Sequence, residues 1–159
     1  MQQQRVALIS GANRGIGEAI ARQLVSNGWS VSLGMRTPTA APWHDSDSVQ
    51  VVAYDATDTA GEAQWVAAAL ERFGRIDAVV ANAGLMIRKT VVEADEADMD
   101  ALLDVNVKAP RRLAAAAWSA LIAAAAPSLM GSATAIRPAA RPFTARNIAL
   151  SPFQNGGPH

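Results

Sequence analysis

Three glycines, Gly11, Gly15 and Gly17, stand between a short apolar run and an amphipathic stretch, and this context limits the fold more than any other feature of the chain. The run from Arg5 to Ser10 reads as a strand buried on both faces, because it barely alternates. From Gly15 to Asn27, Ile16, Ile20, Leu24 and Val25 share one helical face, and Asn27-Gly28 ends the helix. Gly11 lets the chain turn sharply out of the strand. The helix that follows offers free N–H groups and a positive dipole end, which together suit a phosphate. Gly15 permits close approach of backbone to a pyrophosphate, and Gly17 permits close packing of helix on sheet. The plainer alternative is a tight turn that binds nothing.

The strand–helix unit then repeats. Strands are expected at 30–34, 49–54 and 77–81. Thr59-Ala-Gly-Glu62 has the spacing of a capping box, so a helix carrying Trp65, Val66, Ala69, Leu70 and Phe73 is expected from there to Gly74. Asp95 or Asp98 caps the next helix, which runs through Leu102, Leu103 and Val107, bends at Pro110 and resumes from Arg111 to Ala126. Strands alternating with helices give an α/β fold, a doubly wound parallel sheet of Rossmann type with strand order 3-2-1-4, truncated after the fourth strand and helix. After Pro127 the periodicity stops, and residues 127–159 read as an irregular tail containing prolines and arginines.

Composition narrows the function. Fourteen basic and fourteen acidic residues cancel, which gives no electrostatic case for nucleic acid or an anionic membrane as partner. Without cysteine there is no disulfide and no thiolate chemistry, and the only histidines, His44 and His159, are far apart, so no metal site is expected. No secretory signal or membrane span is apparent, so a cytoplasmic protein is the expectation.

The glycine spacing, Ser10-Gly11-Ala12-Asn13-Arg14-Gly15-Ile16-Gly17, resembles the first motif of the short-chain dehydrogenase/reductase family. Three further segments match that family's pattern in order: Asp55-Ala56 after the third strand, Ala81-Asn82-Ala83-Gly84 after the fourth, and Asn106 within the fourth helix. Ala81 departs from the family's first asparagine in its motif. The resemblance covers about residues 5–126, which makes 1–126 an incomplete NAD(P)-binding domain. It implies that Asn13, Arg14 and Ile16 line the phosphates with Gly11, Gly15 and Gly17. It places Asp55 and Ala56 at the adenine ring and Asn82, Ala83 and Gly84 beside the ribose, with Asn106 in a supporting catalytic role. Plainer roles stand beside these: Asp55 as a strand-end turn residue, Asn82 and Gly84 as turn formers, and Asn106 as a solvated surface residue.

Cofactor choice turns on the end of the second strand. A carboxylate there would favour NAD through the ribose 2′-hydroxyl, but the chain has Gly34-Met35-Arg36. Arg36 and Arg14 suit a 2′-phosphate, so NADP(H) is favoured over NAD(H). The alternative for Arg36 is a solvated loop charge.

The family's reaction, hydride transfer between a dinucleotide and a small carbonyl or alcohol, uses a Tyr-x-x-x-Lys pair and an upstream serine. Here the only tyrosine is Tyr54 and the only lysines are Lys89 and Lys108, so that pair is absent. Ser128 and Ser132 have no tyrosine partner. A frameshifted tail or an internal deletion, the latter suggested by the segment Gly131 to Pro138, are two origins for this ending. The expected function is therefore a family oxidoreductase that is catalytically incomplete as written. The alternatives are a non-catalytic NADP(H)-binding module and a non-functional truncated product. An open edge is expected at the fourth strand. The stripe Leu113, Ala117, Trp118, Leu121 and Ile122 either packs on the sheet or joins two copies through the 98–126 helix.

Overall fold

In a computed structural model, which describes residues 4–129, β1 (Val6–Ser10) is buried at every position. So is β2 (Ser30–Met35). β3 (Val49–Ala53) and β4 (Ala78–Val80) are half-buried strands on either side of that pair. All pairings are parallel and the order is β3-β2-β1-β4. Val6 lies opposite Ser30 across β1 and β2, and Ala7 opposite Ala78 across β1 and β4. The chain winds outward from β1 to β3, then returns to lie on the other side of β1. Among the described residues β4 pairs with β1 alone.

The two faces of the sheet are filled differently, and β2 shows why. Val31, Leu33 and Met35 join Ile9, Ala12 and Ala21 in a core beneath α1 (Gly15–Ser26). Ser32 and Gly34 point the other way and are small, which makes room for the indole of Trp65 from α2 (Gly61–Phe73). A Cβ on Gly34 would meet that ring at 2.6 Å. The indole Nε1 donates to Ser32 Oγ at 2.8 Å, Ser32 donates to Gln50 Oε1 at 2.8 Å, and Gln50 Nε2 donates to the Ala68 carbonyl at 3.1 Å. A buried Trp and Ser are thereby satisfied by each other across β2, β3 and α2.

Helix α2 departs from the expected start. Its N-cap is Ala60, with no side-chain hydrogen bond, so Thr59 does not form a capping box with Glu62. Asp58 Oδ1 instead accepts from Ala60 N–H at 2.9 Å, and Glu62 is drawn into the interior. Left-handed Gly74 closes the helix as expected.

The last helical region has three parts. α3 (Glu96–Leu103) opens with a reciprocal capping box in which Asp95 and Asp98 each accept the other's backbone N–H. Asp104–Lys108 form one π-helical turn, in which Ala109 N–H reaches back to the Asp104 carbonyl. α4 (Ala109–Leu129) follows directly. Pro110 therefore does not bend a helix interior: it sits in the first turn after the wider π turn, where its missing N–H and its ring are tolerated. The helix also continues past Pro127 to Leu129, beyond the boundary expected at residue 126. The expected stripe on α4 splits: Leu113 and Ala117 are buried and Leu121 packs against the same core, whereas Trp118 and Ile122 are exposed. The remainder of the tail, with Ser132 and the segment Gly131 to Pro138, lies outside the described residues.

Candidate functional site

The strand order reverses at β1, so a crevice opens beyond the C-terminal ends of β1 and β4, where loops leave in opposite directions. A cleft of about 1000 Å³ occupies this place. Gly11, Asn13, Arg14, Gly15, Ile16, Arg36, Asp55, Ala56, Asn82, Ala83 and Gly84 all line it, as do Thr37, Thr57, Leu85 and Met86. Of the residues named from the sequence for the cofactor, Gly17 alone is not in the lining.

The three glycines do three separate things. Gly11 has φ of +66°, and its N–H donates to the Gly34 carbonyl at 2.9 Å, which tucks the turn against the end of β2. Gly15 has φ of +59° and faces open space, with nothing within 4 Å of a Cβ placed there. Gly17 is buried, and a Cβ on it would lie 2.4 Å from the Gly11 carbonyl oxygen and 2.5 Å from Asn82 Nδ2. Gly17 thus sets how closely α1 approaches the sheet. Arg14 is the N-cap of α1 and makes no side-chain cap, and Glu18 lies in the first turn. Arg14, Asn13 and Ile16 are exposed on the cleft rim, Ile16 by 74%.

Asn82 turns inward. Its Nδ2 donates to the carbonyls of Ser10 at 3.1 Å and Gly11 at 3.2 Å, while Ser10 Oγ accepts from the backbone N–H groups of Asn82 at 3.0 Å and Ala83 at 2.9 Å. The buried Ser10 hydroxyl and the Asn82 amide clasp the ends of β1 and β4 together at the floor of the cleft. Ser10 opens the glycine motif, but the motif alone does not show what its hydroxyl binds. Its signal was a hydroxyl residue placed last in an otherwise apolar strand.

Asn106, in the π turn, does not line the cleft. Its Oδ1 accepts from Leu85 N–H and its Nδ2 donates to the Leu85 carbonyl, both at 2.8 Å. One side-chain amide therefore pairs with both polar groups of Leu85, immediately after Gly84, and fixes the path of the cleft's β4 wall. Asn106 is itself exposed, yet both polar atoms of its amide are taken up by Leu85.

On the opposite wall, Asp55 Oδ1 accepts from Thr57 N–H at 2.9 Å and Thr57 Oγ at 2.8 Å. These bonds, helped by the positive charge of Arg36, hold the Asp55 carboxyl below its ordinary range. Asp55 is thus a turn residue and a wall residue at once. Arg36 is exposed at the end of β2 and lines the cleft with Arg14. Tyr54 is buried, and its hydroxyl donates to Glu62 Oε1 at 3.1 Å. Burial and then the Glu62 charge push the phenol upward, so it stays protonated and is no base. Among the described residues no group of three histidines, aspartates or glutamates is placed to hold a metal. No helix among them is long and apolar enough to cross a membrane.

The family model for short chain dehydrogenases matches residues 5–130. The chain belongs to the short-chain dehydrogenase family. Members of this family are oxidoreductases that use NAD(P). An uncharacterized oxidoreductase of Staphylococcus aureus (strain USA300) is 33% identical over 122 residues, which is 74% of this chain and 53% of that protein. An agropine synthesis reductase of Rhizobium rhizogenes is 42% identical over 87 residues, 53% of this chain and 20% of that protein. Among solved structures, NADH-dependent reductase A1-R′ in complex with NAD is similar with a TM-score of 0.72 and 29% identity, over 79% of this chain and 56% of that one. A short-chain dehydrogenase/reductase from Brucella melitensis gives 0.70 and 30%, over 74% and 52%. The chain thus spans about half the length of most of these relatives, and a fifth of the agropine synthesis reductase.

Proposed function

We propose that the cleft binds a nicotinamide dinucleotide, with NADP(H) preferred over NAD(H), as the cofactor side of a hydride-transfer oxidoreductase acting on a small carbonyl or alcohol. The observation that carries this reading is the convergence of residues from four separate loops, named from the sequence, on one cleft at the point where strand order reverses. The residues fit such a group. Gly15 leaves open space beside the uncapped N-terminus of α1, where backbone N–H groups and the helix dipole favour phosphate. Arg14 would reach the phosphates from the rim, with Asn13 and Ile16 flanking. Asp55 and Ala56 would meet the adenine, and Ala83 and Gly84 the ribose, while Asn82 and Asn106 shape the walls from behind. Arg36, exposed where a NAD-selective site would place a carboxylate, would pair with a 2′-phosphate. A bound NAD(P) supplies or accepts the hydride.

The proton side of the reaction is a separate matter. The one tyrosine of the 159 residues is Tyr54, which is held by Glu62. We therefore expect this chain alone to bind cofactor without turnover. The exposed side of α3, the π turn and α4, with Met99, Leu103, Val107, Trp118 and Ile122, is the surface through which two copies would associate.

The test is titration with NADPH and, separately, NADH, followed by tryptophan emission and by the unfolding midpoint. Saturable binding, tighter for NADPH and abolished by Gly15→Trp, is expected. Arg36→Asp should reverse the preference. No response to either cofactor overturns the binding reading, and equal affinity for both overturns the role of Arg36.

A further inference from the structure

The cleft wall formed by Tyr54, Asp55 and Ala56 is backed by an ion pair that no motif of the sequence announces. Glu62, from the first turn of α2, is 2% exposed. Its Oε1 accepts from Tyr54 Oη at 3.1 Å and from Arg112 Nε at 3.0 Å, and its Oε2 has no hydrogen-bond partner. Arg112, from the start of α4, also donates through its terminal nitrogen to the Ala56 carbonyl at 2.7 Å. One guanidinium therefore joins α2, α4 and the loop after β3, and it does so through the backbone of a residue that lines the cleft.

Such a pair is a poor way to gain stability. Removing two charges from water carries a penalty that their attraction only partly repays, and well-packed apolar residues in their place are often as good or better. An apolar pair, however, supplies no donor for the Ala56 carbonyl and no acceptor for the Tyr54 hydroxyl. What the charged pair adds over an apolar one is a fixed position for these two groups.

We propose that Arg112 and Glu62 are positioning residues for the adenine side of the cleft, acting through the Ala56 carbonyl and the Tyr54 hydroxyl. This inference rests on the dinucleotide reading above and deepens it by assigning one of its subsites a support outside the lining. The Arg112–Ala56 bond is shorter than the bonds of Asn82 to the β1 turn, and it comes from a side chain only 19% exposed, so it holds the loop where solvent competes little.

The experiment compares four forms of the full chain: wild type, Arg112→Met, Arg112→Lys and the double variant Glu62→Met/Arg112→Met. Each is measured for urea stability and for affinity toward NADPH, toward adenosine 2′,5′-bisphosphate as the adenine-side fragment, and toward nicotinamide mononucleotide. Arg112→Met leaves a buried carboxylate unpaired and is expected to lower stability. The double variant removes that carboxylate and is expected to recover stability. Its affinity for NADPH and for the adenine-side fragment should nevertheless stay down by about tenfold, the scale of losing one charge-assisted hydrogen bond, with nicotinamide mononucleotide unaffected. Arg112→Lys, which keeps a charge and a donor, should recover part of the affinity. A double variant that regains stability and binds both adenine-containing ligands like wild type overturns the positioning role and leaves the dinucleotide reading standing. A double variant that stays unstable, or loses affinity equally for all three ligands, shows a general structural role and also overturns it. Failure of wild type to bind NADPH or the bisphosphate removes both readings together.

Discussion

Replacing Gly17 by alanine adds one methyl group where the structure leaves no room. The new Cβ would stand 2.4 Å from the Gly11 oxygen and 2.5 Å from Asn82 Nδ2, about an ångström inside the ~3.5 Å at which non-bonded atoms attract. The first neighbour is backbone and the second is pinned by two carbonyls, so neither yields freely. Helix α1 must back away, which costs about 1–3 kcal/mol as overpacking. Weakening the two Asn82 hydrogen bonds adds about 0.5–1.5 kcal/mol each. Alanine's better helix propensity returns about 1 kcal/mol. The net is about 3 kcal/mol, or about 10 °C in melting temperature for a domain of this size. Thermal melting by circular dichroism and urea unfolding by tryptophan emission both measure it, since Trp65 is fully buried. Gly28→Ala is the control: its φ is +78° and its Cβ would meet nothing, so only the left-handed backbone penalty of about 1 kcal/mol applies. A Gly17→Ala protein that melts within about 2 °C of wild type, or no lower than Gly28→Ala, would refute the clash as the reason for glycine.

Two smaller perturbations probe the walls of the cleft. Asn106→Ala removes both bonds to Leu85, so the Leu85 amide should exchange hydrogen at least about tenfold faster while the β1 amides stay protected; an unchanged Leu85 rate would show that the clamp does not hold that wall. Thr57→Val removes a hydroxyl donor from Asp55, so the Asp55 carboxyl should titrate closer to its ordinary value in a carbon-detected pH titration. Because the folded state lowers this pKa, Asp55 contributes stability above the ordinary aspartate value that is lost as pH falls through the depressed one. The variant should lose less on the acid side, and an unmoved titration would refute the assignment.

Much of the fold was legible because its signals are local. The apolar runs of β1 and β2 announced strands covered on both faces, and Gly28 and Gly74 marked helix ends that the structure keeps. The cleft lining was legible for the same reason: each loop carries its own short motif at a strand end, and the parallel topology brings strand ends together. What escaped depends on partners distant in sequence. Glu62 reads as a capping residue until Arg112, fifty positions away, draws it inward. Ser10 reads as the last residue of a strand until Asn82 and Ala83 arrive to use its hydroxyl. Pro110 reads as a kink because the sequence does not display the π turn that precedes it.

That turn governs the phase of everything after it. An α-helix advances about 100° per residue, and a π turn holds one residue more than an α turn does. Winding all five residues from Asp104 to Lys108 as regular α-helix, with none removed, would over-rotate α4 by one residue's advance, roughly 100° about its axis. Leu113 and Ala117 would leave the sheet, and Arg112 would point away from Glu62 and Ala56. The wider turn therefore absorbs one residue and keeps α4 in phase with the sheet. Substitutions on its exposed side, at Val107 or Lys108, change a surface, whereas losing the π turn while keeping its five residues resets which face of α4 the protein uses.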